Sequence, residues 1–232
     1  MRRFFTLLII FFCINTLDAQ SGKKDYLLTI KTRFGEMHSV LSDLTPKHKA
    51  NFIKLVEDKF YNGLLFHRII EGFMIQAGDP ASKYAKKGEF LGNGDADYRI
   101  PAEINQTLFH KRGVIAAARE QNPEKESSGY HFYIVQGTVW DDKTLAEQMA
   151  RTPLRKFSDS QIQTYKTLGG SPHLDGNYTV FGQVIDNLWV VDSVARQKRD
   201  LNNRPLEDIA MKISCKKVKK KKITRLYGYQ FD

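Results

Sequence analysis

Cysteine is nearly missing from this 232-residue chain, which carries only Cys13 and Cys215. A disulfide framework is therefore excluded, and stability has to come from a packed core. Long apolar runs are as scarce. The longest, Phe4 to Ile14, has about eleven residues where a membrane span needs about twenty. Metal-ligand spacing is absent too. The six histidines (His38, His48, His67, His110, His131, His173) form no i,i+4 pair around a Glu, so no metal is expected. No G-x-S-x-G elbow occurs, and the loop with Gly88, Gly92 and Gly94 is not followed by the Lys-Ser/Thr of a phosphate cradle. Neither a serine hydrolase nor a P-loop enzyme is indicated, and no bound cofactor is expected. Heptad, collagen-like and solenoid periods are missing as well. Acidic residues number 26 against 36 basic ones, for a net charge of +10, yet no aromatic stacking pattern accompanies the excess. Nucleic-acid binding is not expected. The hydrophobic content of 41% is enough to build a core and excludes a wholly disordered chain.

The start of the chain stands apart. A basic Met1-Arg2-Arg3 precedes the apolar run, and Asn15 to Gln20 turns polar around Leu17-Asp18-Ala19. This layout predicts a secretory signal peptide over 1–19, with an uncleaved anchor as the alternative. The residue before Cys13 is Phe12, not the small residue a lipid-modified cleavage site needs. Few cysteines and many lysines point to an exported protein of a bacterial periplasm or cell envelope. Residues 20–24 read as a linker, 25–218 as one domain, and 219–232 as a basic tail.

Within the domain, Asp25–Arg33 alternates with Tyr26, Leu28 and Ile30 on one face, and Glu36–Leu41 pairs back across Phe34-Gly35. Thr45-Pro46 opens a helix with Phe52, Ile53, Val56 and Phe60 on its apolar stripe. Short apolar runs follow at 64–70, 73–77, 100–104, 114–118, 132–135 and 178–185, separated by Gly, Pro and Asn. That rhythm favours an antiparallel barrel or sandwich. Asp186/Asn187 caps a second helix, and Ile209–Val218 supplies a last strand. Residues 141–168 read as a helical insertion, with a capping box at Ser158 and Gln161. The lysines of 216–222 read chiefly as a solvated edge that discourages strand aggregation, and otherwise as a peripheral contact with anionic surfaces.

The segment Phe66-His67-Arg68-Ile69-Ile70-Glu71-Gly72-Phe73-Met74-Ile75-Gln76-Ala77-Gly78-Asp79 sets a cation and an amide beside Phe and Met. If both strands alternate, Arg68, Met74 and Gln76 share a face. From spacing alone, pairing of Arg68 with a surface carboxylate is the favoured reading. The segment closely resembles the signature of the cyclophilin-type peptidyl-prolyl isomerases. Collinear matches follow at Gly113–Ala118 (GVIAAA), Gly129–Val135 (GYHFYIV) and Leu174–Val184 (LDGNYTVFGQV).

The resemblance implies a mainly β fold: a closed eight-stranded antiparallel barrel capped by two helices, here with a helical insertion, and a site on the outer face. It implies an X-Pro isomerase acting on proline-containing polypeptides as a monomer and assisting the folding of exported proteins. A proline-binding module with little turnover is the alternative. By motif position Arg68 and Gln76 are the catalytic pair. Phe73, Met74, Ala118, Arg119, His131, Tyr133, His173, Leu174 and Tyr178 bind substrate, with the Ala118 and Arg119 backbone aligning the peptide. Five positions depart from the common pattern: His131 for Gln, Tyr133 for Phe, Arg119 for Asn, His173 for Trp and Tyr178 for His. The change at His173 implies weak inhibition by cyclosporin.

Overall fold

The computed structural model describes residues 23–94 and 98–231, so the expected leader lies outside the described residues. Two strands, β1 (Lys24–Thr32) and β2 (Gly35–Leu41), form a hairpin, and helix α1 (Pro46–Glu57) follows. Thr45 does not cap α1 with its side chain. The free N–H groups of Lys47 and His48 donate instead to the carboxylate of Glu103, at 3.0 and 2.9 Å. A distant acid thus supplies both the cap and a negative charge at the positive end of the helix.

Strands β3 (Phe66–Ile70) and β4 (Met74–Ala77) make the second hairpin, and β5 (Arg99–Ile100) pairs only with β7 (Ser127–Ser128) in a small separate ladder. Between them runs β6 (Val114–Ala117), and β8 (Phe132–Val135) comes after. The insertion is helical as expected, in two pieces: α2 (Asp142–Met149) and α3 (Asp159–Thr167), the latter with both capping-box bonds of Ser158 and Gln161. Strand β9 (Val180–Asp186), helix α4 (Trp189–Ala195), strand β10 (Lys212–Lys219) and helix α5 (Lys220–Tyr227) complete the chain. Part of the stretch read as a basic tail is therefore a helix. It buries Ile223 against Leu27 and Val40, while Lys221 and Lys222 are exposed and Lys220 pairs with Asp43 at 2.8 Å.

Eight strands join one antiparallel sheet in the order β10-β1-β2-β9-β6-β8-β4-β3. The sheet curls into a half-barrel and is not the closed ring expected. Its edges, β3 and β10, share no ladder: β10 pairs with β1 and β3 with β4. They meet near the start of each, through the Leu65–Ala210 bridge, 2.9 Å bonds from Phe66 N–H to Ile209, from Met211 N–H to Leu64 and from Gly63 N–H to Met211, and a 3.1 Å bond from Ile213 N–H to Asn62 Oδ1. The concave face holds the main core: Leu28, Ile30, Phe66, Ile69, Ile75, Ile115, Phe132, Ile134 and Phe181 pack against Phe52 and Val56 of α1 and Val191 and Val194 of α4. The two flanking helices are as expected. Three more belong to the insertion and the C-terminus.

Candidate active site

Period-two alternation puts a second apolar cluster on the opposite, outer face. While Ile75, Ile115, Phe132 and Ile134 point into the core, their neighbours Met74, Val114, Ala116, Tyr133 and Val135 point out. Strand register lines these up. Arg68 lies opposite Gln76, Gln76 opposite Tyr133, Tyr133 opposite Ala116, and Ala116 opposite Val180. One row of side chains thus crosses five strands.

A bulge aims the first member of that row. Phe66 and Arg68, two residues apart, would share a face in a regular strand. The register shifts between them, so that Phe66 enters the core while Arg68 faces outward. An extra residue at His67 is the local cause. The β3–β4 turn is pinned from below: Gly72 N–H donates to Gln136 Oε1 at 2.7 Å, and the N–H groups of Gln136 and Gly137 both donate to the Phe73 carbonyl at 2.9 Å. At the exit of β4, Gly78 has φ +106°, and a Cβ there would collide with the Tyr130 carbonyl, so this close approach requires glycine.

Arg68, Phe73, Met74, Gln76, Ala118, Arg119, Tyr133, Leu174 and Tyr178 line one cleft of about 210 Å³. Arg68 is half-buried, and its Nη1 donates to Gln76 Oε1 at 3.1 Å. No carboxylate pairs with it among the described residues, so the surface ion pair suggested by spacing is not there. Burial lowers the pKa of the guanidinium from its ordinary value, yet a guanidinium remains charged at neutral pH. A cation held beside Phe73 and Met74 with a neutral amide as partner keeps donors for a ligand.

Two of the expected site residues are not in the cleft wall. His131 is buried apart from it, its ring edge-on to His67 at 5.6 Å. His173, in the 3₁₀ turn Pro172–Leu174, stands behind Phe73 with ring centroids 5.5 Å apart, and burial lowers its pKa to about 4. Ala118 serves as apolar wall: its N–H donates to His131 O at 3.0 Å and its carbonyl accepts from Ser128 at 2.9 Å, which leaves its backbone engaged within the fold. Arg119 contributes its side chain, which lies over the Tyr178 ring at 4.9 Å and lines the cleft.

Sequence reading missed what lies under the floor. The Tyr133 hydroxyl is 2.9 Å from His110 Nε2, His110 Nδ1 is 2.7 Å from Asp175 Oδ1, and Tyr165 of α3 donates to Asp175 Oδ2 at 2.6 Å. All four side chains are buried, and burial raises the pKa of both phenols. The relay fixes the Tyr133 ring from behind and ties it to the insertion. Its one visible signal was a Tyr where the resemblance has Phe, since a buried phenol needs a partner.

Comparison with known proteins agrees with this architecture. The crystal structure of a cyclophilin-type peptidyl-prolyl cis-trans isomerase from Cryptosporidium parvum matches with a TM-score of 0.59 over 83% of this chain and 98% of that one, at 22% identity. A structure of the same protein, solved in the presence of the dipeptide Ala-Pro, matches with a TM-score of 0.58. A Streptococcus pyogenes protein named as a bifunctional phosphatase/peptidyl-prolyl cis-trans isomerase is 34% identical over 83% of this chain, which spans 38% of its length. A Staphylococcus saprophyticus peptidyl-prolyl cis-trans isomerase is 29% identical over 84% of this chain and 93% of its own. The family model for cyclophilin-type peptidyl-prolyl cis-trans isomerases matches residues 27–217. The chain belongs to that family.

Proposed function

We propose that the outer cleft speeds rotation about X-Pro bonds of polypeptides, with Arg68 as the catalytic group. An amide resists rotation with a barrier of about 18–20 kcal/mol, and uncatalysed X-Pro exchange takes roughly tens to hundreds of seconds. Millisecond turnover needs about 10⁴-fold or more, or about 6 kcal/mol. No covalent bond is made or broken, so no nucleophile is required.

The apolar wall of Phe73, Met74, Tyr133 and Leu174 suits a prolyl ring and excludes water from the amide. The twisted amide is less dipolar than the planar one and loses less on leaving water. Arg68 bonds the prolyl carbonyl, and as the imide nitrogen pyramidalises it donates to the lone pair that resonance no longer holds. Only the part of that bond that strengthens on twisting adds to the rate. Gln76 orients the guanidinium through the 3.1 Å bond.

The observation that carries this reading is a half-buried guanidinium with no carboxylate partner among the described residues, set at the rim of an apolar hollow. Arg68→Ala is expected to lower kcat/KM on a short proline peptide by about 10²–10³-fold, with an unchanged circular dichroism spectrum. Unaltered turnover in the variant would overturn the assignment of Arg68, whereas no turnover by the natural chain would leave a proline-binding module. Export to a bacterial envelope to assist folding there belongs to the same proposal and rests on the basic-apolar leader. Cell fractionation of the tagged chain tests it.

A further inference from the structure

We propose that the cleft prefers proline segments with an acidic side chain on the residue preceding the proline. This inference rests on the isomerase reading of the same site and names its substrate class. Of the nine residues that line the cleft, two are arginines and none is Asp or Glu. Arg68 supplies one guanidinium and Arg119 the other.

Arg119 is held in place without being neutralised. Its guanidinium stacks over Tyr178 at 4.9 Å, its Nε donates to the Asn177 carbonyl at 2.8 Å, and its Nη1 donates to the Glu120 carbonyl at 3.1 Å. Backbone carbonyls take donors and leave the charge, and Nη2 has no partner among the described residues. Glu124 and Glu126, close by in sequence, form no ion pair with Arg119, and two other nearby acids are engaged elsewhere. Glu120 pairs with Arg99 at 2.9 Å, and Asp175 is buried and bonded to His110 and Tyr165. No described carboxylate pairs with Arg119.

The strand row sets the direction of a bound chain. Arg68 is on β3, while β6 leads into Arg119, three strands further along the order β3-β4-β8-β6. At about 4.8 Å per strand the two backbones stand roughly 14 Å apart, on opposite sides of the cleft. A peptide whose prolyl carbonyl sits at Arg68 turns its preceding residue toward Arg119. A carboxylate there meets a pre-organised planar fork and forms a charge-assisted bond at little ordering cost.

The test uses three otherwise identical tetrapeptides with Glu, Ala or Lys before the proline, measured by NMR exchange so that no coupling protease adds its own preference. The Glu peptide is expected to exceed the Lys peptide in kcat/KM by roughly fivefold to twentyfold, the ratio shrinking as salt rises. In Arg119→Gln the ratio should fall to within about twofold. Arg119→Lys, which keeps the charge without the fork, should restore part of it. Equal rates for the three peptides in the natural chain overturn the preference while leaving the isomerase intact. Should none be turned over, the isomerase reading fails, and calorimetric affinities of the same peptides decide the preference by the same ratio.

Discussion

His67 stands at the bulge that turns Arg68 outward, and it carries a cost at low pH. Its ring is almost wholly buried, and burial lowers its pKa to about 4, with His131 as the next contributor in the same direction. The unfolded chain takes up this proton below about pH 6.5. Because the folded value is depressed, the neutral ring's stability is fully present above pH 6.5. It is lost progressively as pH falls toward 4, amounting to about 3 kcal/mol at most. Urea denaturation should give a free energy that drops between pH 7 and pH 4.5, and His67→Phe should make the drop smaller, the remainder coming from His173, whose pKa is lowered to about 4 as well. An equal drop in the variant would place the sensitivity elsewhere. Arg68, Phe73, Met74 and Gln76 could be found from sequence because one short motif carries them and alternation sets their common face. The inward turn of His131 could not, because it depends on where β8 begins, at Phe132. The side-chain role of Arg119 escaped for a related reason: its partner Tyr178 lies 59 residues further along the chain.

At the scale of elements, the insertion is more than an ornament on the sheet. Helix α2 packs on the turn that carries His173 and Leu174, and α3 reaches Asp175 through Tyr165. The relay from Tyr165 to Tyr133 makes α3 a support for the cleft floor. Tyr165→Phe should lower kcat/KM several-fold by freeing Asp175 and loosening the Tyr133 ring. In a Tyr133→Phe background the same change should cost much less, since the hydroxyl at the end of the chain is gone. Additive effects in this double-mutant cycle would mean that Tyr165 acts on the cleft independently of the Tyr133 hydroxyl. The helices of the insertion were legible, down to the capping box of α3, because capping is local chemistry. The cap of α1 was misread for the opposite reason: Glu103 does the work from 55 residues away. Helix α5 went unseen because its lysines mask a single buried residue, Ile223, whose partners sit on β1 and β2.

At the scale of the molecule, the strand runs and the two flanking helices were readable from turn signals and apolar stripes, while the fate of the sheet edges was not. Closure depends on whether the free edges of β3 and β10 meet along their length, which is long-range geometry that no local pattern encodes. The main core draws residues from Leu28 to Ile213, with none from the insertion.

The five-strand row has a kinetic corollary. Arg68 and Gln76 come from neighbouring strands, but Tyr133, Ala116 and Val180 join them only when strands as far apart in sequence as Gln76 and Tyr133, or Ala116 and Val180, have paired. Distant pairings of this kind form late, after the loops between them have closed. Recovery of catalysis after dilution from urea should therefore lag behind the return of helical signal and coincide with the last tryptophan fluorescence phase. Catalysis regained ahead of that phase would mean that the hairpin alone suffices. Nascent chains still emerging from synthesis would on this basis be inert, and competence would arrive all at once when the final strands dock.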